Sequence, residues 1–189
     1  MRTVILLLSL TTLPLAQTSA PRPQSLADWQ SMIPAIGKAL KTQFPEERIE
    51  APYPVGILRA GHVADITSDG VSEALVSFGA GGASTSQVTL VRVEAGKPVI
   101  ALFRDRAGKI GPIIFVEGAS VMHTDGVDLL QREHAVFAIH YNYGSTGKLH
   151  HCGGEAYTWN AQSKTFDYNS ALTRKLTRTT CSQVPKKVG

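Results

Sequence analysis

Residues 87–104 of the chain read QVTLVRVEAGKPVIALFR. Two apolar runs, residues 87–93 and 98–104, flank the turn EAGK, and valine, isoleucine and leucine are frequent in both runs. Short runs rich in β-branched residues on either side of a glycine-containing turn are typical of a β-hairpin. This segment therefore predicts two strands joined by a turn, and the same pattern recurs in the flanking sequence.

Similar runs precede and follow this hairpin. Upstream, residues 73–78 alternate so that Ala74, Val76 and Phe78 share one face, and the small-residue run 79–86 (GAGGASTS) predicts a loop. Downstream, the predicted strands are residues 110–116 after the turn DRAGK, residues 135–143, and a last hairpin formed by residues 155–159 and 165–168. Turns at strand-length spacing favour a mainly β fold with an antiparallel, sandwich-like sheet.

One amphipathic helix is predicted before the strands. Its apolar positions recur every three or four residues, at Leu26, Trp29, Ile33, Ile36, Leu40 and Phe44. Ser25 and Asp28 provide a cap and a first-turn acid, and Pro45 ends the helix. Pro34 leaves two alternatives, a kink within one helix or a helix that starts near Ser31. With this N-terminal α-helix the expected fold class is α+β overall.

Residues 1–20 have the layout of a secretory signal peptide. Arg2 precedes an apolar run too short to span a bilayer, and small residues close the segment at Ala16, Ser19 and Ala20. We therefore expect a signal peptide over residues 1–20, a helix and proline-rich linker over residues 21–62, and a β domain over residues 63–189. The cleavage site stays open between Ala16 and Ala20, and the mature chain is predicted to be secreted or periplasmic.

Composition narrows the functional classes. The chain has 189 residues, 43% of them hydrophobic, and a formal net charge of +4, which suits a folded protein and does not indicate a nucleic-acid partner. Beyond the leader, no segment of the sequence is long and apolar enough for a transmembrane helix. In an exported chain the two cysteines, Cys152 and Cys181, are expected to form a disulfide, and a free reactive thiol is the alternative.

The one motif with specific chemistry is DITSDGVSE, residues 65–73, here called the acidic loop. Its side-chain oxygens recur along the turn, and Gly70 stands where a sharp bend needs a positive φ. Carboxylates gathered in one tight turn repel one another unless a cation offsets their charge, and Ca²⁺ takes about six to eight oxygen ligands. Val76 occupies the position where an EF-hand needs glutamate, so an EF-hand is excluded. The alternative is an Asp/Gly-rich turn that satisfies its own backbone without metal.

The acidic loop and the apolar strand after it resemble the FG-GAP and VCBS repeats, whose hallmark is a D-x-[DNT]-x-D-G-x-x-[DE] loop. The resemblance implies Ca²⁺ as a structural cofactor, with Asp65, Thr67, Asp69, Val71 and Glu73 as its ligands. It also implies a β module of the kind found in adhesion, lectin-like and cell-surface proteins, and hence a protein or glycan partner. Thr67 departs from the commoner Asp or Asn, and the single copy of the motif does not imply a propeller.

Three functional hypotheses follow. The first is an exported binding or structural module without assigned catalytic residues, whose partner is an unknown protein or glycan. The second is a secreted or periplasmic hydrolase that uses late histidines such as His123, His134 and His140 together with carboxylates. The third is an inhibitor or partner-binding protein that presents the loop 79–86. A transition-metal site among the histidines is not favoured, because His134 and His140 would lie about 20 Å apart on one strand.

Overall fold

The computed structural model describes residues 22–47, 55–57, 59–82, 85–119, 123–143 and 149–184. The predicted signal peptide, residues 1–20, lies outside them. The α-helices in the described residues are α1 (Leu26–Ser31), α2 (Ile33–Gln43) and α3 (Ser170–Gln183). The strands are β1 (Val63–Ala64), β2 (Glu73–Gly82), β3 (Thr85–Glu94), β4 (Lys97–Ile100), β5 (Phe103–Arg104), β6 (Ile110–Gly111), β7 (Phe115–Ala119), β8 (His123–Leu130), β9 (Ala135–Tyr143), β10 (Leu149–Asn160) and β11 (Thr165–Tyr168).

The strands form one sheet in the order β1–β2–β3–β7–β8–β9–β10–β11–β5–β6, and β4 pairs with β3 beside this path. The pairing of β5 with β11 is parallel, and the other pairings between the described strands are antiparallel. The sheet is therefore mixed, and the prediction of a mainly β fold is confirmed. Two helices precede the sheet along the chain, and one follows it.

The pairings close into a ring at β3. One edge of β3 pairs with β2, while the opposite edge pairs first with β7 and then with β4. The chain leaving β4 makes one further bond to β3, from the N–H of Ala101 to the carbonyl of Leu90 (2.9 Å). It then joins β11, where the N–H of Phe166 donates to the carbonyl of Leu102 (2.9 Å). The segment 97–104 therefore links β3 to β11 and closes the ring.

The main hydrophobic core draws on nearly every strand of this ring. Aromatic side chains from four strands meet in it, with ring centroids of Phe103 lying 5.4 Å from Phe115 and 5.2 Å from Tyr157, both edge to face. Such contacts stabilise beyond the area that they bury. The fully or nearly fully buried members are Ile66, Leu75, Val88, Leu90, Ala101, Phe103, Phe115, Val127, Val136, Tyr157 and Phe166.

Helices α1 and α2 cover the face of β2 that points away from the main core. Ser25 is the helix cap, as predicted, and it forms a capping box with Asp28 in which each side chain accepts a hydrogen bond from the other residue's backbone N–H (3.3 and 2.9 Å). The helical path breaks at Met32, and Pro34 falls in the first turn of α2, where its missing N–H costs no helical bond. The second core cluster between these helices and the sheet consists of Trp29, Ile36, Leu40, Ala74, Val76, Phe78 and Val91.

Helix α3 is not among the predicted elements. The side chain of Asn169 caps its first turn by accepting from the N–H of Leu172 (3.0 Å), and its apolar side packs on β9 and β10. A disulfide between Cys152 on β10 and Cys181 on α3 ties the two together, with Cα atoms 5.9 Å apart. The predicted pairing of the cysteines is confirmed, and the bond anchors a helix to the sheet.

Segment 79–86 was expected to be a loop, and the structure shows that this prediction is wrong. β2 continues to Gly82 and β3 begins at Thr85, so most of the segment belongs to paired strands. Two register shifts between β2 and β3 accommodate the run of small residues, because glycine within a strand favours such bulges. Segment 79–86 is therefore not the loop that an inhibitor was expected to present, and an exposed apolar patch is the other feature that this hypothesis could use.

Other strand boundaries also differ from the sequence prediction. The predicted strand 98–104 divides into β4 and β5, and the predicted strand 110–116 divides into β6 and β7. β8 (HTDGVDLL) was not predicted, because its aspartates and glycine obscure the alternation of apolar residues. None of the helices in the described ranges is both long and apolar enough to cross a membrane.

Candidate functional site

The acidic loop is held by its own side chains. One carboxylate oxygen of Asp65, Oδ2, accepts from the N–H of Gly70 (3.0 Å), and Oδ1 of Asp69 accepts from the N–H of Val71 (2.9 Å). Gly70 has a φ of +80°, which is the left-handed conformation that the sequence requires at this position. Each of these two aspartates therefore stabilises the turn by binding backbone N–H groups, as in Asx turns.

Glu73, the last residue of the acidic loop, is almost fully buried with 2% of its surface exposed. Its carboxylate accepts hydrogen bonds from the N–H of Ile66 (2.9 Å), from the N–H of Thr67 (3.3 Å) and from the Thr67 hydroxyl (3.0 Å). Burial raises the pKa of Glu73 to about 7, although these hydrogen bonds and the charge of Arg92 act in the opposite direction. The charge of Asp69 adds to the rise.

The predicted calcium ligands are only partly brought together. Thr67 contacts Glu73, whereas the carboxylates of Asp65 and Asp69 turn towards the loop backbone. The part of the chain that the structure describes holds no group of three or more His, Cys, Asp or Glu side chains arranged to bind a metal ion. Oδ1 of Asp65 is buried and has no hydrogen-bond partner among the described residues. Calcium binding by Asp65, Thr67, Asp69, Val71 and Glu73 therefore stays a prediction.

The acidic loop also forms hydrogen bonds with residues at the start of the N-terminal helices. The Ser72 hydroxyl donates to the carbonyl of Pro23 (2.8 Å) and accepts from Nε1 of Trp29 (2.9 Å). The side chain of Gln24 donates to the carbonyl of Gly70. Anything that stiffens the loop would therefore also stiffen the attachment of α1 to the sheet.

A second polar site, here called the histidine cleft, lies on strands β8, β9 and β10. Asp125, His140 and Gly153 are direct cross-strand neighbours on these strands. Oδ1 of Asp125 is hydrogen-bonded to Nδ1 of His140, and Oδ2 lies 3.5 Å from Nε2 of His123. The Asp125 side chain is 14% exposed, whereas that of His140 is 42% exposed. A largely buried carboxylate thus orients an imidazole that faces solvent.

The histidine cleft is an open cavity of about 520 Å³. The ring of His151 lies 6.2 Å from that of His140, centroid to centroid, and it packs over Gly153, where a Cβ would come within 2.8 Å of its Nε2. The lining residues are Arg106, Val116, Asp125, Gly126, Ala138, Ile139, His140, His151, Gly153, Gly154 and Glu155. The site therefore combines imidazole, carboxylate and guanidinium groups over a floor that contains three glycines.

Arg106 and Glu155 form the opposite wall of the cleft. Their side chains are 3.5 Å apart, and the Tyr157 hydroxyl donates to Glu155 (2.7 Å). Burial and the bond to Glu155 raise the pKa of Tyr157, so its hydroxyl keeps its proton.

No family model, curated protein or solved structure matches this chain. The resemblance to FG-GAP and VCBS repeats accordingly depends on residues 65–73 and the strand after them. The chemistry of each site must be inferred from its own geometry.

The histidine cleft is where the structure departs furthest from the sequence prediction. His123, His140 and His151 come together because β8, β9 and β10 are adjacent, which their spacing along the chain does not reveal. His134 lies elsewhere, with its Nδ1 3.2 Å from the Ser68 hydroxyl. Of the histidines proposed for a hydrolase, two therefore converge with Asp125 and one does not.

Sequence reasoning also missed a partly exposed ion-pair cluster between the turn after residue 59 and strands β7 and β8. Nη2 of Arg59 lies 3.1 Å from Glu117 and 2.9 Å from Asp128, and it donates to the carbonyl of Val127 (3.1 Å). His62 is completely buried, with its Nε2 3.2 Å from the same glutamate. Burial alone would raise the pKa of Glu117, but the contact with His62 and the charges of His62 and Arg59 lower it overall.

Proposed function

We propose that the chain is an exported binding module that holds a glycan in the histidine cleft. The observation that carries this proposal is the convergence of Asp125, His140 and Gly153 on one open cleft with Arg106 and Glu155. Concave sites of a few hundred Å³ with a small number of placed polar groups are usual for ligand binding. The disulfide supports export, because such bonds persist mainly in oxidising compartments.

The charges that line the cleft favour a neutral ligand rich in hydroxyl groups. With neutral imidazoles, Arg106 offsets one of the two carboxylates, Asp125 and Glu155, so the site has little net charge with which to attract an ion. Carboxylates accept hydrogen bonds from hydroxyls, guanidinium donates to them, and imidazole can do both. Gly153 keeps the floor open beneath the ring of His151.

Calorimetric titration with a panel of neutral oligosaccharides tests this proposal. We expect binding by at least one of them, and about fivefold weaker binding by His140→Ala, since a lost hydrogen bond costs about 1 kcal/mol. His150→Ala is the matched control, because His150 is exposed on β10 and does not line the cleft. Absence of binding across the panel, or equal losses in both variants, would contradict the proposal.

Ca²⁺ is proposed as a structural brace of the acidic loop. The buried and unpartnered Oδ1 of Asp65 supports it, because an orphaned carboxylate oxygen is costly unless something binds it. The bonds from Ser72 to Pro23 and Trp29 indicate what the brace would achieve, since they connect the loop to α1.

Thermal unfolding with millimolar Ca²⁺ or with a chelator tests the brace. We expect Ca²⁺ to raise the Tm of the wild type by a few degrees and to have no effect on Asp69→Asn, which keeps the turn's hydrogen bond but lacks the charge. Asp105→Asn is the control, because Asp105 also stabilises a turn by accepting from the N–H groups of Ala107 and Lys109. If neither Ca²⁺ nor the chelator changes the Tm of any of the three proteins, Ca²⁺ does not stabilise the acidic loop.

A hydrolase is the second candidate, and the bond between Asp125 and His140 favours it. An imidazole that donates from Nδ1 to a carboxylate presents Nε2 as an acceptor, which is how a general base is oriented. Hydrolysis of nitrophenyl esters and glycosides is the test. If the candidate is correct, His140→Ala and Asp125→Asn lower kcat by about 10²-fold or more, whereas His150→Ala does not. Absence of turnover by the wild type would eliminate this candidate.

A further inference from the structure

A second concave surface, here called the basic groove, lies between α2 and β4. It has a volume of about 810 Å³ and extends to the turn that joins β10 to β11. Its lining residues are Ala35, Lys38, Ala39, Thr42, Gln43, Arg92, Glu94, Lys97, Pro98, Val99, Ile100, Ala101, Leu102, Ser163 and Lys164. The groove thus has an apolar floor and carries four cationic side chains against one carboxylate.

Arg92 is a buried cation in this groove. It is 7% exposed, and its Nε has no hydrogen-bond partner in the described part of the chain. Its guanidinium stacks 4.1 Å from the ring centroid of Trp159, its Nη1 bonds to Glu94 (3.3 Å), and its Nε stays 3.8 Å from Glu73. Stacking fixes the plane of the guanidinium, and Glu94 engages it from one side only. Arg92 is therefore already engaged on its own elements and adds positive charge beneath the groove, which leaves the exposed cations to contact a ligand.

The remaining cations surround the groove on separate elements. Lys38 projects from α2, Lys97 begins β4, and Lys164 lies in the turn between β10 and β11; all three are exposed. Between them, Leu102 is 41% exposed, which is unusual for a large aliphatic side chain that lines a cavity. The surface therefore presents separated positive charges around an accessible apolar floor.

We propose that the basic groove binds an acidic segment of a partner protein, with its carboxylates near Lys38, Lys97 and Lys164 and its apolar side chains over Leu102 and Ile100. A single-headed anionic amphiphile fits less well, because one carboxylate cannot engage cations on three elements and an open groove leaves an acyl chain in water. The groove shares no lining residue with the histidine cleft, so this inference stands independently of the proposed glycan site.

Fluorescence anisotropy with a short labelled peptide of alternating Glu and Leu tests the inference. We expect this peptide to bind, and the matching Gln–Leu peptide to bind at least about tenfold more weakly, because charge complementarity drives recognition here. Binding of the acidic peptide should weaken as salt is added, since most of the cations are exposed. Amide chemical-shift changes should fall on Ile100 and Leu102.

Charge-reversal variants locate the binding without disturbing the core. The double variant Lys97→Glu/Lys164→Glu should lower the affinity by about tenfold or more. The control Lys109→Glu/Lys175→Glu has the same net charge but changes exposed lysines outside the groove, and it should retain the affinity within about twofold.

Four results would overturn the inference. They are absence of binding by the acidic peptide, equal binding of the Gln–Leu peptide, equal losses in the two double variants, and binding of octanoate in the groove without binding of the peptide. The last result would identify an anionic amphiphile as the occupant instead.

Discussion

Two buried glutamates, Glu73 on β2 and Glu117 on β7, show opposite electrostatic behaviour. Both face an arginine, and their side chains are 2% and 16% exposed. Yet the pKa of Glu73 rises to about 7, whereas that of Glu117 is lowered. Burial pushes both pKa values upward, more strongly for the less exposed Glu73, so the difference comes from the depth of burial together with the partners.

The distance to the cation separates the two sites. Nε of Arg92 is 3.8 Å from Glu73, and its guanidinium is already engaged by Glu94 and by stacking on Trp159. Glu117 instead contacts Arg59 at 3.1 Å and His62 at 3.2 Å. Direct contact with Arg59 helps to keep the Glu117 carboxylate ionised, whereas Arg92 at 3.8 Å does not offset the deeper burial of Glu73.

The largest expected effect is the pH dependence that Glu73 imposes. Its folded pKa of about 7 exceeds the ordinary value of 4.5, so the folded state retains the proton that the unfolded chain loses. Stability from this group is therefore fully present below about pH 4.5 and is lost as the pH rises through 7, by about 3 kcal/mol in total. Urea unfolding with a chelator present measures it. In Glu73→Gln the free energy of unfolding should change much less over this pH range.

Glu94→Gln is the control for that experiment, because Glu94 contacts the same arginine from an exposed position. In Glu94→Gln the free energy of unfolding should still fall as the pH rises through 7. If the free energy of unfolding of Glu73→Gln still falls fully between pH 4.5 and 7, the Glu73 carboxylate is not the source of this pH dependence.

The second effect concerns Glu117. Glu117→Gln removes the counter-charge of Arg59 and the carboxylate beside the fully buried His62, and we expect a loss of about 2 kcal/mol at neutral pH. Because the folded pKa of Glu117 is lowered, its stabilisation is present above about 4.5 and is lost as the pH falls through the folded pKa. The variant should therefore lose less stability than the wild type on acidification, as measured by urea unfolding. If the variant and the wild type lose equal stability on acidification, Glu117 does not act as an ionised partner of Arg59.

A smaller loss is expected from Arg59→Met. The Arg59 side chain is 48% exposed, so solvent screens its pairs with Glu117 and Asp128, and we expect a loss of about 1 kcal/mol. Thermal unfolding in low and high salt measures it. The wild type should lose stability with salt, and the variant should lose less; equal salt responses would mean that Arg59 acts through packing alone.

The smallest effect should come from Asp69→Asn in calcium-free buffer. The charge of Asp69 contributes to the raised pKa of Glu73, and asparagine can keep the hydrogen bond to the N–H of Val71. The pKa of Glu73 should therefore fall slightly, and the loss of stability on the alkaline side should shrink by a few tenths of a kcal/mol. Urea unfolding across the same pH range measures it, and a larger alkaline loss than in the wild type would contradict this electrostatic account.

Features that depend on a few neighbouring residues were predicted from the sequence. The alternation of Ala74, Val76 and Phe78 located β2 and its buried face, and residues 135–143 matched β9. Ser25 is the expected helix cap and Asp28 the expected acid in the first turn. In each case the physical signal lies within one turn or one strand, where periodicity and side-chain hydrogen bonding act locally.

Features that depend on strand order were not predictable in the same way. Asp125 meets His140 only because β8 and β9 pair in that register, and His62 meets Glu117 across the fold. A shift of one residue would turn either strand's side chains to the opposite face, so the sequence alone does not specify such contacts. Helix α3 was missed for another reason, since Leu172 and Leu176 are the few apolar markers in a threonine-rich stretch.

The two ends of the strand order have a consequence for self-association. β1 and β6 terminate it, and each is only two residues long. An exposed strand edge is a template on which other chains can add strands and begin to aggregate, and very short edges offer little such template. Pro98 acts in the same direction in β4, because it has no N–H to donate to an added strand. The exception within the described residues is β2, since β1 pairs only with Glu73 and Ala74 and Gly56 adds one bridge to Ser77, so the remainder of this ten-residue strand is the edge at which a second chain would pair.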